Sequence, residues 1–318
     1  MQKFASIEAV KSALNEMGVK ARLNVISGRI DVDGSINGTD YSDDIKALAS
    51  QVQLHLSGSR YEDVEDSIMV IADENRYNPV QEMLDETTRD GEDHISDLLE
   101  HVMGLEAKPD QADLVKRWLH QTMALAFNGD DTGHDTDDDV CDFDSGHDLY
   151  GADGLLVLVG EEGCGKTLLL SKLAVDEDLF LEGAVLDVHN KDNVIENTSC
   201  WITELCDVDN LTSSQSAFIT KPQDTYRPHY EEVVVDKPRK TSFCATANRL
   251  PKPTKATKQL DRRLWIVDAN NFDLDRIQAL DEEWFKQLWK QVYEELYLPN
   301  PEGFYSSEDK ADTVSNSR

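Results

Sequence analysis

The segment Gly160-Glu161-Glu162-Gly163-Cys164-Gly165-Lys166-Thr167 has the residue types and spacing to hold a triphosphate. Its glycines allow a backbone curl tight enough to turn successive N–H groups toward one anion. Lys166 can reach β- and γ-phosphates, and the Thr167 hydroxyl can hold Mg²⁺. With Leu168, where a helical run begins, these residues form the expected cofactor-binding set for ATP and Mg²⁺. The helix that starts near Lys166 adds the positive end of its dipole.

Such a loop needs a carboxylate on a neighbouring strand to orient the metal or the attacking water. Trp201-Ile202-Thr203-Glu204-Leu205-Cys206-Asp207 supplies Glu204 at the end of a short apolar strand and Asp207 three residues on. One can complete the metal's outer shell, and the other can polarise water. Both also fit ordinary polar positions at a strand end. Phe243-Cys244-Ala245-Thr246-Ala247-Asn248 is a second small-residue strand that ends in an amide. Asn248 can contact a γ-phosphate or hold the attacking water; a structural asparagine at a strand end fits the same position.

Positive charge is concentrated in one stretch. Residues 221–263 hold eleven basic and five acidic residues, in a chain whose net charge is -32. Two uses fit: neutralising a triphosphate across a subunit boundary, and contacting a nucleic-acid backbone. A solvated hinge fits Pro251–Lys258 equally well. Arg227, Arg262 and Arg263 are the stronger candidates, because the guanidinium fork makes directed contacts to phosphoryl oxygens. Arg227-Pro228-His229-Tyr230 and Val233-Val234-Val235 suggest a turn and a strand, consistent with a β-hairpin reaching into a pore.

The elements that position these groups follow from hydrophobic period. Leu155–Val159 is a continuous apolar run, as expected of a strand buried on both faces, and Leu264–Val267 reads as another strand. Short apolar runs alternate with helical stretches from 155 to 297, which predicts an α/β sheet. Residues 1–127 read as mostly helical, with Ile7, Val10, Leu14 and Met17 on one face and a hairpin or irregular strand pair over 21–41. Pro79 fits the first turn of a helix. The expected divisions are a helical accessory region (1–127), an acidic loop or insertion (128–153), the main domain (154–298) and a polar tail (299–318).

The insertion contains ten aspartates. Asp135, Asp137 and Asp139 have the spacing of a calcium loop, but Val140 stands where its sharp turn needs glycine. The 63 acidic residues against 31 basic fit a surface suited to very high salt, a cation- or partner-binding region, or imitation of nucleic acid. They argue against a protein that coats DNA through its whole surface. Five cysteines form no CxxC pair, the start has no long apolar stretch, and no run of 18 apolar residues occurs. The expectation is a soluble intracellular protein with no membrane partner.

These motifs, in this order, resemble the virulence-associated protein E family of phages and prophages and, distantly, the superfamily 3 helicases. The resemblance runs through Asn75-Arg76-Tyr77-Asn78-Pro79-Val80, Gly160–Thr167, Trp201–Asp207, Asp224-Thr225-Tyr226-Arg227-Pro228, Thr246-Ala247-Asn248 and Arg262-Arg263-Leu264-Trp265. It implies a P-loop NTPase core (AAA+/superfamily 3 helicase-like) beside a mostly helical N-terminal region. It also implies a cytoplasmic, ring-forming ATPase, a hexamer by expectation, that acts on DNA in a prokaryotic host, often linked to a primase. Glu204 becomes the Walker B carboxylate, Asn248 the first sensor, and Arg262 or Arg263 a finger or sensor arginine. Departures are Arg89-Asp90-Gly91 for the family's Trp-Asp-Gly, Glu231-Glu232 for Gly-Arg, and Gln259-Leu260-Asp261 for Thr-Gly-Asn. No primase signature is present.

The expected activity is thus ATP hydrolysis coupled to DNA unwinding or translocation in replication of a virus or mobile element. Two alternatives share the motifs: an ATP-driven remodeller or loader of a replication protein, and a non-catalytic nucleotide-dependent scaffold.

Overall fold

Alternation along β5 (Leu155–Val159) sorts its side chains onto two faces of a sheet. Leu156 and Leu158 pack into one buried cluster, Leu155 and Val157 into another. The computed structural model describes residues 4–36, 38–41, 44–129, 154–206, 208, 211–226, 235–250 and 263–297. The aspartate-rich stretch with its calcium-like spacing lies outside them, as do the tail and Asp207, Arg227 and Arg262.

Five parallel strands form the central sheet, in the order β11 (Leu264–Asp268), β5, β10 (Ser242–Ala247), β7 (Ile202–Leu205) and β6 (Phe180–Ala184). Both faces are covered, which is why these strands read as apolar runs. On one face, α6 (Pro109–Ala126), α7 (Lys166–Leu173) and α11 (Glu282–Tyr297) enclose Leu156, Ile202, Cys244, Trp265 and Val267. Three buried tryptophans there satisfy their indole N–H groups on backbone carbonyls: Trp118 on Phe243, Trp201 on Thr122, and Trp289 on Leu173. The other face buries Leu205, Phe243 and Ala245 against Leu186, Val208, Leu211 and Phe218, the last from α9 (Ser213–Ile219).

Ahead of α6 lie α4 (Pro79–Glu86), α5 (His94–Asp97) and a π-helical turn, Leu98–Val102. Asn78 caps α4 by accepting from Val80 N–H, and Pro79 stands in its first turn. Val80, Leu84, Leu98, Val102 and Trp118 belong to the same cluster as the sheet.

A separate cluster holds the first seventy residues together. α1 (Ile7–Met17), α2 (Ile45–His55) and α3 (Tyr61–Glu74) bury Val10, Leu14, Leu48, Val52, Val64 and Ile68. β1 (Lys20–Leu23) and β2 (Ile30–Asp33) pair antiparallel beside them, followed by the short pair β3 (Ser35–Ile36) and β4 (Thr39–Asp40). The stretch grouped on composition as 1–127 is therefore shared between two cores, and its second half packs on the sheet.

Candidate active site

All five parallel strands end on the same side, and the Gly160–Thr167 loop leaves the end of β5 there. In open parallel sheets, ligands bind in the crevice at these carboxyl ends. Gly160 N–H donates to Ala247 O (3.0 Å), which ties the loop's first residue to the end of β10. Gly163 and Gly165 adopt φ +82° and +94°, conformations that L side chains rarely take. α7 then begins at Lys166, so the loop closes on a helix N-terminus. Lys166 is buried, and its Nζ donates to Gly160 O (2.8 Å) and Glu161 O (2.7 Å), 3.6 Å from Cys164 Sγ.

Glu204, third of the four residues of β7, is buried beneath α7. Its Oε1 accepts from Thr167 Oγ1 (3.0 Å) and Thr246 Oγ1 (2.6 Å). Its Oε2 is buried without a hydrogen-bond partner. β10 lies between β5 and β7, pairing Cys244 with Glu204 on one side and with Leu156 on the other. Glu204 therefore reaches the loop across an interposed strand, from the face it shares with Cys244 and Thr246. Burial, and then the nearby Glu204 charge, push the Cys244 thiol well above its ordinary range. A hydroxyl beside an unpaired buried carboxylate oxygen matches the hard oxygen ligands that Mg²⁺ takes.

The segment after β11 covers the loop's outer side. Glu161 N–H donates to Asn270 Oδ1 (2.9 Å). Asn270 donates its own N–H (3.0 Å) and its Nδ2 (2.7 Å) to Asp268 Oδ1. Asp268 Oδ2 accepts from Lys108 Nζ (2.9 Å), and Asp268 N–H donates to Gln111 Oε1 (2.9 Å). The Lys108 hydrogen bond, followed by the Asn270 backbone donor, holds the Asp268 carboxyl below its usual range. In α10 (Leu274–Ala279), Leu274 and Ile277 stand close enough to Gly165 that an added Cβ would meet each at 3.1 Å.

Thr167 and Glu204 are thus joined by a hydrogen bond, with Lys166 beside Thr167 and turned onto the loop carbonyls. Asn248 is exposed directly after β10, at the same sheet end as the loop. Arg263 is exposed at the opposite end, where its carbonyl accepts from Leu155 N–H at the start of β5 (2.7 Å). Strands rise about 3.3 Å per residue, so the length of β5 keeps Arg263 roughly 16 Å from its own chain's loop. The basic stretch is only partly surface. Arg239 and Lys240 are buried, and Arg239 pairs with Asp224 while donating to Phe218 O (2.7 Å) and Ile219 O (3.0 Å). Asp224 lies on β8 (Gln223–Tyr226), which pairs antiparallel with β9 (Val235–Pro238); the expected turn at Arg227–Tyr230 and the expected strand residues Val233 and Val234 lie outside the described residues.

Thr246, Asn270 and Asp268 were not singled out by the sequence reading. Period-2 alternation along β10 does put Thr246 on the face of Cys244, and Asp268-x-Asn270 is a spacing at which an aspartate caps its own turn. Neither signal identifies the partner across space.

The architecture is mixed α/β with both sheet faces covered. Residues 84–317 match the virulence-associated protein E-like domain, and the chain belongs to that family. An apo A-form structure of the NrS-1 C-terminal region is similar at a TM-score of 0.50 and 15% identity, covering 89% of this chain and 68% of that one. A second apo A form of that region gives 0.46 at 14% identity, with 90% and 67% covered. The JCV helicase, with a substituted N-phenylacetamide bound, gives 0.39 at 10% identity, with 94% and 88% covered. Comparison with curated proteins gives no significant match.

Proposed function

We propose that the chain is a Mg²⁺-dependent ATPase that drives DNA unwinding or translocation in the replication of a virus or mobile element. The observation that carries this is Glu204: a buried carboxylate with one oxygen on the Thr167 hydroxyl and the other unpaired. It lies under a glycine loop that opens onto a helix N-terminus. Membership of the virulence-associated protein E-like family, whose resemblance implies an ATPase of mobile-element replication, supports the replication context.

In this scheme the loop N–H groups and the α7 terminus receive the phosphates. Lys166 leaves the loop carbonyls for the β- and γ-phosphoryl oxygens. Thr167 and Glu204 would hold Mg²⁺, which would neutralise developing phosphoryl charge there. Glu204 or Asp207 polarises the attacking water, and Asn248 fixes its position. Arg263, far from its own loop, suits the nucleotide of a neighbouring chain, as do Arg262 and Arg227. That calls for a homo-oligomeric ring, proposed here as a hexamer. DNA, with a primase or other replication protein, is the proposed partner.

The test is ATP hydrolysis across a series of salt concentrations, with and without single-stranded DNA, alongside unwinding of a forked duplex. The expected result is turnover stimulated by DNA, abolished in Glu204→Gln while nucleotide is still bound. Hydrolysis indifferent to DNA, with no unwinding at any salt, sinks the motor. Stimulation by a replication protein alone makes the chain a remodeller.

A further inference from the structure

We infer that Asn270 is a positioning residue for the Gly160–Thr167 loop, held in its working orientation by Asp268 and, through it, by Lys108 of the helical layer. This rests on the nucleotide-binding role proposed above and extends it to residues outside the loop. A phosphate loop works only if its N–H groups already face the anion, because ordering them on binding subtracts from affinity. Glu161 is the loop's first residue after Gly160; its N–H is taken by Asn270 Oδ1 at 2.9 Å, which anchors the loop's entry and leaves the later N–H groups for the anion.

An asparagine side chain can turn its oxygen or its nitrogen toward a neighbour, and only a defined partner settles which. Here Asp268 Oδ1, acceptor only when ionised, takes Asn270 Nδ2 at 2.7 Å. The amide oxygen is thereby left facing Glu161. Asp268 is itself fixed from three directions: Asn270 N–H on Oδ1, Lys108 Nζ on Oδ2, and Gln111 Oε1 on its backbone N–H. Ala269 N–H donates to Val159 O (2.7 Å), so the same turn is stitched to the strand from which the loop departs. The line from Lys108 to Glu161 is continuous, each link being a hydrogen bond of ordinary length. It joins the start of α6 to the loop without touching any phosphate-facing group.

The test combines two readouts on the full chain: hydrogen exchange of the loop amides in nucleotide-free protein, and Mg·ADP affinity by calorimetry. Asn270→Ala is expected to speed exchange in the peptide covering Glu161 by about fivefold, and to weaken Mg·ADP by about five- to tenfold. Lys108→Met is expected to weaken Mg·ADP by about two- to threefold alone, and to add nothing once Asn270 is alanine. Thermal midpoints should move by less than about 2 °C. Unchanged loop exchange in Asn270→Ala overturns the inference. So do additive affinity losses in the double variant, or losses that simply follow a falling midpoint. If the unmodified protein binds no Mg·ADP at any salt concentration, the nucleotide role fails, and loop exchange alone still decides whether Asn270 orders the loop.

Discussion

Thr246 Oγ1 donates to Glu204 Oε1 at 2.6 Å, from the strand that separates β7 from the loop strand β5. Thr167 donates to the same oxygen from the loop side. Two hydroxyls on one carboxylate oxygen fix its rotation and turn the partnerless Oε2 away from both. Because Glu204 crosses an interposed strand to reach the loop, Thr246 is the group that sets its aim.

Thr246→Val keeps shape and burial but removes one donor to a charged acceptor. Hydrogen bonds to charged groups contribute about 1.5–3 kcal/mol, so a loss of that order is expected at the step where the carboxylate acts. Turnover should fall by roughly ten- to a hundred-and-fifty-fold, with nucleotide affinity within about twofold of the unmodified protein. Steady-state ATPase kinetics beside Mg·ADP calorimetry separate the two. Equal losses in both would mean that Thr246 only supports the loop.

Gly165 adopts φ +94°, and an added Cβ would meet Leu274 and Ile277 at 3.1 Å each. Gly165→Ala therefore combines a disfavoured backbone with crowding against α10. The cost is about 1–3 kcal/mol if the loop keeps its shape, and the alternative is a loop that no longer curls. Bound nucleotide must then draw the variant loop back into its curl against that cost, so Mg·ADP binding should weaken by about fivefold or more with helical content unchanged. Retained affinity would show that the curl is not needed for nucleotide.

How far the sequence revealed this site depended on whether a residue's partner was nearby in the chain. Leu155–Val159, the glycines and the helix from Lys166 are contiguous, so strand, loop and helix were legible together. The strand order was not. Parallel strands buried on both faces carry no mark of their neighbours, and nothing local placed β10 between β5 and β7. Arg239 was counted with a basic stretch facing solvent or phosphate; it is fully buried because Asp224, fifteen residues earlier, meets it across the base of the hairpin. Lys108 and Glu161 likewise meet only through a turn after β11.

That buried pair has a consequence for stability. Arg239 Nε lies 3.1 Å from both oxygens of Asp224, and its guanidinium stacks 4.4 Å from the Phe218 ring centroid. Arg239→Met leaves Asp224 buried and uncompensated, which costs about 3–5 kcal/mol. Adding Asp224→Asn removes the stranded charge and should recover about half of the loss. Denaturant midpoints of the two single variants and the double variant check this. Simple additivity would mean that the pair does not act as a unit.

Acid stability should depend on the contact between α6 and α11. Glu295 Oε2 sits 3.5 Å from His120 Nε2 and 3.1 Å from Lys116 Nζ. The contact with His120, then the charge of Lys116, bring its pKa down to about 2 from 4.5, against the opposing effect of burial. A carboxylate with a depressed folded-state pKa contributes stability that is fully present above its unfolded value. That contribution disappears as pH falls from about 4.5 through about 2. The Glu295 side chain is 35% exposed, so solvent screening reduces the contribution to about 1 kcal/mol. Glu295→Gln should therefore lower stability at pH 7 by that amount and converge with the unmodified protein near pH 2. Urea unfolding at stepped pH reads the difference, and curves that stay parallel down to pH 2 would remove Glu295 from the acid transition.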